Sequence, residues 1–113
     1  MSRHNDNTRL RHMLEATKEA LSIIRGKQRR DLESDRILEL ALTRLLEVIG
    51  EAANRVSESK RDSTPGIPWR QIIGLRNRLI DGYDAVDLDI LWDIVHLDLP
   101  PLILALEKVV GED

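Results

Sequence analysis

The sequence predicts an all-α fold: a four-helix bundle with a kinked last helix, formed by residues 1–113 as a single domain. Three observations carry this expectation. Apolar residues recur at steps of three and four rather than two. Leu, Ile and Val supply the apolar material, with only three aromatic residues and no Phe. The strong helix breakers gather at a few junctions instead of being scattered. There is no alternating apolar run bounded by hairpin turns, no internal repeat and no low-complexity stretch.

The first helix is expected from the single face formed by Leu10, Met13, Leu14, Thr17, Ala20, Leu21 and Ile24, with Gly26 as its C-cap. Asp31 is expected to cap the second helix, with Glu33 and Asp35 in its first turn and its end near Ser57. Its main face is Leu38, Ala41, Leu42, Leu45, Ile49, Ala52, Ala53 and Val56. Ile37, Leu40 and Val48 widen that face beyond what one core needs. Such width calls for a second partner, either a long third helix or the equivalent helix of another subunit, and a homodimer is the expectation.

The linker SESKRDSTPGIP holds the strongest breakers, and Pro68 suits the first turn of a third helix. That helix should run through Trp69, Ile72, Ile73, Leu75 and Leu79 and stop at Gly82. A fourth begins near Asp87 and carries Leu91, Ile94, Val95, Leu102, Ile103 and Leu106. Its kink is expected because Pro100 removes a backbone donor and clashes with the carbonyl of His96.

At 113 residues, 42% hydrophobic and 33% charged, the chain has the material for one core. The net charge of -3 is unevenly spread. Residues 1–30 hold eight Lys or Arg against three acids, residues 60–80 five against one, and residues 81–113 nine acids against one Lys. A basic cleft is therefore compatible with an acidic total. The absence of cysteine excludes disulfides and thiolate metal sites, and with no apolar leader-like start the cytoplasm is the default expectation. The apolar stretch around Leu102 is broken by Asp98, Pro100 and Pro101, so no membrane span is expected.

The densest cluster of chemistry is Arg76, Asn77, Arg78, Leu79, Ile80, Asp81, Gly82 and Tyr83. Arg76 and Arg78 are suited to phosphate oxygens, and Asn77 to orienting a ribose or phosphate group. The plainer reading is that both arginines are solvated and pair with Asp81, Asp84 or Asp87. Tyr83 in that reading is a half-buried ring with a local hydroxyl partner. His4, His12 and His96 lack ligand spacing, so neither a metal nor a cofactor is expected. His96 is open between a base near the cleft and a helix-surface residue. Asp84, Asp87, Asp89 and Asp93 read as a solvated helix face that complements the dipole, and Trp69 and Trp92 as core or dimer contacts. With so few aromatics, a base-stacking platform is not expected.

The octet RNRLIDGY resembles the Arg-x4-His-x-Tyr signature of HepT-like toxins of the HEPN superfamily, with Asp81 in the histidine position. The resemblance extends through IIGLRNRLIDGYDAVDLDILWDIVHLDLPPLI, RLRHMLEA and LALTRLLEVIGEAANRVS, which together make up most of the chain. It implies a homodimeric helical bundle in which two motif segments face one another across a basic cleft and cut RNA, tRNA included, without metal. Arg76 matches the catalytic arginine, Asn77 and Asp81 fall within the catalytic motif, and Arg78 lies beside them as a second phosphate contact. Tyr83 matches the tyrosine that an MNT-type nucleotidyltransferase antitoxin modifies with AMP, which would block RNA by charge and bulk.

Histidine suits proton transfer because its pKa of about 6.5 leaves both forms populated at neutral pH, whereas Asp, at about 3.9, is ionised. Asp81 can accept a proton but hardly donate one, and its charge opposes both phosphate and the cation beside it. Weakened or absent cleavage is therefore expected. Two origins of Asp81 fit: a natural variant that has drifted from nuclease function, or a substitution that makes a toxic chain producible. A noncatalytic binding module that keeps the cleft and Tyr83 is the alternative reading, and a pure interaction protein that binds neither RNA nor the transferase is a third.

Overall fold

A computed structural model describes residues 3–81 and 85–111, with backbone alone for residues 3, 4 and 81. The chain makes four helical passes, as an all-α bundle should. The first is α1 (Arg3–Ile24), followed by a short α2 (Asp31–Ser34), the long α3 (Arg36–Arg55) and a short α4 (Glu58–Ser63). The third pass is split into α5 (Trp69–Ile73) and α6 (Leu75–Leu79). The last consists of α7 (Leu88–Asp93), a π-helical turn at Ile94–Asp98, and α8 (Leu99–Val110). Helix α1 lies along both α3 and α8, and α3 also receives α5 and α6.

Helix α1 buries most of the predicted face: Leu10, Met13, Ala20 and Ile24 are in the core with Ala16; Leu14 and Leu21 are half-buried, and Thr17 turns its hydroxyl onto the Met13 carbonyl at 2.7 Å. Gly26 ends this pass in a left-handed conformation, φ 78°. On α3 the core residues are Leu38, Leu42, Leu46, Ile49, Ala52 and Ala53. Leu46, outside the expected face, is fully buried, whereas Ala41 and Leu45 of that face are only half-buried. Of the widening residues, Ile37 and Leu40 are exposed, at 79% and 50%, while Val48 is half-buried.

Several expected boundaries move. Asp31 does not cap the second pass: its carboxylate instead accepts the Gln28 N–H at 2.6 Å and closes the turn before α2. The cap of α3 is Asp35, in extended backbone, accepting the Leu38 N–H at 3.0 Å. Ser57 lies past the end of α3 and caps α4 through the Lys60 N–H at 3.2 Å, so part of the expected linker is helical. The third pass is not continuous, because Gly74 closes α5 and opens α6. Nor does it reach Gly82: Ile80 is extended, and Ile80–Asp81 (β1) pairs antiparallel with Ala85–Val86 (β2). A two-residue ladder is too short to leave an alternating pattern. The Asp87 N–H seals it on the Leu79 carbonyl at 2.8 Å, and Asp87 also caps α7 with its side chain.

The expected kink resolves into the π-helical turn. The Leu99 N–H reaches the Ile94 carbonyl, five residues back, and the wider turn relieves the contact between a proline ring and the carbonyl four residues before it. Pro100 and Pro101 then enter the first turn of α8, where a missing N–H costs nothing. No described helix is long and apolar enough to cross a membrane.

Among the interactions that join the passes are two buried ones. Asp6 is buried on α1, at 4% exposure, and accepts the Ser57 N–H at 2.9 Å and the Ser57 hydroxyl at 2.6 Å. Burial alone would raise its pKa, but the two Ser57 bonds and nearby positive charge, Lys60 included, outweigh burial and hold it below the usual carboxylate value. On the other side, Gly50 lets α3 meet α5 closely: a Cβ there would lie 3.1 Å from the Ile72 carbonyl oxygen.

A carboxylate with a lowered folded-state pKa contributes stability above its unfolded value, about 3.9, and loses it as pH falls through the folded value. Asp6→Asn should therefore cost about 1.5–3 kcal/mol at neutral pH and flatten the acid limb of a stability profile followed by urea unfolding. An acid limb as steep as that of the unmodified chain would place the titration elsewhere. Gly50→Ala sets about 1 kcal/mol of helix propensity against about 1–3 kcal/mol of overpacking on backbone. A net loss of up to about 2 kcal/mol is the expected outcome, and an unchanged unfolding midpoint would mean that α5 can shift away.

Candidate active site

The motif segment starts inside α6, where Leu75 and Leu79, four residues apart, point into the core. That spacing leaves Arg76, Asn77 and Arg78 on the exposed arc of the same turn. Beneath them α5 sits on α3, so the arc opens onto a cleft of about 250 Å³ lined by Arg76, Asn77, Ile73, Glu47, Gly50, Glu51 and Asn54. The structure thus places two of the predicted site residues, Arg76 and Asn77, in one cleft with α3.

Arg76 is oriented from α3. Its Nε lies 3.6 Å from the Glu47 carboxylate, an ion pair longer than a hydrogen bond, and its side chain remains 69% exposed. The rest of its donor fork is free to take two oxygens of a phosphate. Arg78 points differently: it donates to Asp98 of the π-helical turn at 2.9 Å, with both side chains partly exposed. The partners expected for these arginines were Asp81, Asp84 or Asp87. Among the described residues the partners are Glu47 and Asp98, on other passes, which spacing along the sequence could not have named; the side chain of Asp81 and the whole of Asp84 lie outside the described residues.

Asp81 stands two residues past α6, its backbone held in register with Ala85. Its side chain lies outside the described residues. So do Gly82, Tyr83 and Asp84, and with them the expected acceptor of AMP. His96 is exposed and stacks on Trp92, ring centroids 3.8 Å apart, with Nδ1 3.1 Å from the Trp92 carbonyl. That contact accounts for His96 as a helix-surface residue. Of the acidic run, Asp87 is spent on capping and Asp89 pairs with Arg29 at 2.8 Å. Trp69 is half-buried and anchors its indole N–H on the Thr64 carbonyl at 3.1 Å, a structural role as expected.

The residue that reading along the sequence missed is Glu47. The available signal was a carboxylate recurring on the flank of an otherwise apolar helix, within the segment LALTRLLEVIGEAANRVS.

The sequence profile described as Ribonuclease HepT-like matches residues 13–109, which contain all of this geometry. The chain belongs to the HepT-like ribonuclease family of HEPN domains. Among curated relatives, the "Probable ribonuclease HepT" of Thermococcus cleftensis is 35% identical over 100 residues, spanning 85% of this chain and 91% of that one. "Putative RNase MJ1380" of Methanocaldococcus jannaschii is 30% identical over 102 residues, 90% of this chain and 94% of its own length. "Putative RNase TTE0752" of Caldanaerobacter subterraneus is 32% identical over 103 residues, 91% and 88% of the two chains. No solved structure matches the chain significantly.

Because Arg76 is exposed and its pair with Glu47 is long, the guanidinium supports the fold little. Arg76→Ala should change the unfolding free energy by no more than about 1 kcal/mol. A larger loss in a denaturation curve would reassign Arg76 from the cleft to the framework.

Proposed function

We propose that this HepT-like chain is the toxin of a HEPN/MNT toxin-antitoxin pair, built to cut RNA without metal and weakened or silenced in this form by Asp81. The observation that carries the reading is the exposed Arg76 guanidinium, oriented by Glu47 over a cleft that Asn77 also lines. Family membership and the ribonuclease names of the relatives support the reaction class.

In the proposed reaction a base takes the proton of the ribose 2′-hydroxyl, and the oxygen attacks the adjacent phosphorus. An acid then protonates the departing 5′-oxygen as the P–O5′ bond breaks. Arg76 stabilises the pentacoordinate phosphorane between these steps, where negative charge is greatest. Arg78 contacts a neighbouring phosphate once it exchanges Asp98 for RNA, and Asn77 orients the reacting group. Position 81 is where the proton shuttle belongs. An ionised Asp81 can serve the first proton transfer but has no proton for the second.

The chain works as a homodimer in this proposal, with the wide apolar face of α3, including exposed Ile37 and Leu40, available to the second copy. Tyr83 is the acceptor of AMP from an MNT-type nucleotidyltransferase antitoxin, and the site of action is the cytoplasm. A second reading is favoured by Asp81 itself: a noncatalytic module that binds RNA or the nucleotidyltransferase and no longer cuts.

The deciding experiment is cleavage of total cellular RNA, tRNA included, in the presence of chelator. It compares the chain as it stands with Asp81→His and with Asp81→His plus Arg76→Ala. Restoration of cutting by Asp81→His, and its loss of at least about 100-fold with Arg76→Ala, is the expected outcome. If Asp81→His stays inert, the binding-module reading replaces the nuclease reading.

A further inference from the structure

A second cleft, of about 390 Å³, lies between α1 and α3. From α1 it receives Arg9 and His12, and from α3 Arg44 and Arg55. Each pair lies on one helical face, three residues apart on α1 and eleven apart on α3. Glu51 is the one acid lining the cleft, and it already pairs with Arg44 at 3.5 Å. Three guanidinium groups against one carboxylate leave two positive charges, with His12 neutral, in a chain whose total is -3. Among the described residues, the side chains of His12 and Arg55 make no hydrogen bond or ion pair. Arg9 is anchored through the Asn5 carbonyl at 3.1 Å, which leaves most of its donors unused.

A self-sufficient fold gains nothing from gathering like charges, so this excess calls for an anion. Its position narrows the choice. Glu51 lines this cleft and also the cleft that holds Arg76 and Asn77, so the two adjoin along α3. From Arg44 to Arg55 the helix rises about 16 Å, long enough to meet more than one phosphate of an extended strand. The lining has no Phe, Tyr or Trp, as fits contact with a backbone rather than with bases.

We infer that the α1–α3 cleft is a phosphodiester-binding subsite that holds the RNA strand beyond the scissile position. Arg44 and Arg55 are its principal contacts, and Arg9 and His12 form its opposite wall. This inference rests on the RNA reading of the Arg76 cleft. It adds a second, separate contact that neither needs the motif nor takes part in bond breaking.

The test uses the full chain with Asp81 in place, titrated into a labelled single-stranded RNA 12-mer and followed by fluorescence anisotropy across a salt series. Arg44→Gln with Arg55→Gln should weaken binding about tenfold at moderate salt. It should also reduce the slope of log affinity against log salt by about 1.4, the share of two phosphate contacts on a single strand. Both side chains are exposed, so the variant should keep the helical circular dichroism of the unmodified chain, which is checked alongside. If this variant binds as the unmodified chain does while Arg76→Ala loses affinity, the subsite is overturned and the RNA reading stands. If neither substitution alters binding, both fall.

Discussion

The seat of α5 on α3 at Gly50 governs where the chemistry of this chain can be. With no side chain at that position, the Ile72 carbonyl closes onto the helix, and the next turn brings Leu75 and Leu79 into the core. Once those two are buried, Arg76 and Asn77 must face the groove beside α3. A larger residue at position 50 would push the short α5 and α6 outward. These segments have five residues each, too short to hold themselves as isolated helices, so they depend on that contact for their place.

Three parts of the α3 surface have different roles. One stripe packs against α1 and the core, Gly50 receives α5, and the polar flank carries Glu47, Glu51 and Arg44. The acids of that flank act on cations: Glu47 holds Arg76, and Glu51 offsets Arg44. None of these pairs is buried, so their value lies in orienting side chains rather than in stabilising the fold. Stability comes from the aliphatic core and from latches such as Asp6 on Ser57, where a buried charge has two donors to satisfy it.

The last pass shows how the prolines are accommodated. Pro100 and Pro101 enter at the start of α8, and the preceding π-helical turn carries Asp98 to Arg78. Arg78 is thereby tied to the middle of the last pass, while Arg76 remains available in its cleft. The two arginines, alike in sequence, thus stand in different electrostatic settings.

Much of this molecule was legible along the chain, because periodicity, caps and breakers act between residues a few positions apart. The four passes, the buried faces of α1 and most of α3, the stop at Gly26 and the start of the last pass near Asp87 are of that kind. So is the motif resemblance, since Arg76 and Asp81 are read by spacing alone. Asp35 rather than Asp31 as a cap, the break at Gly74 and the ladder at Ile80–Asp81 are local too, but they turn on competition between neighbouring signals that sequence patterns do not rank. Glu47 against Arg76, Asp98 against Arg78 and Asp6 against Ser57 were decided by the tertiary structure. So was the sharing of Glu51 between two clefts. Each joins residues some twenty or more positions apart, and only the packing of aliphatic faces sets which polar flanks come to lie side by side.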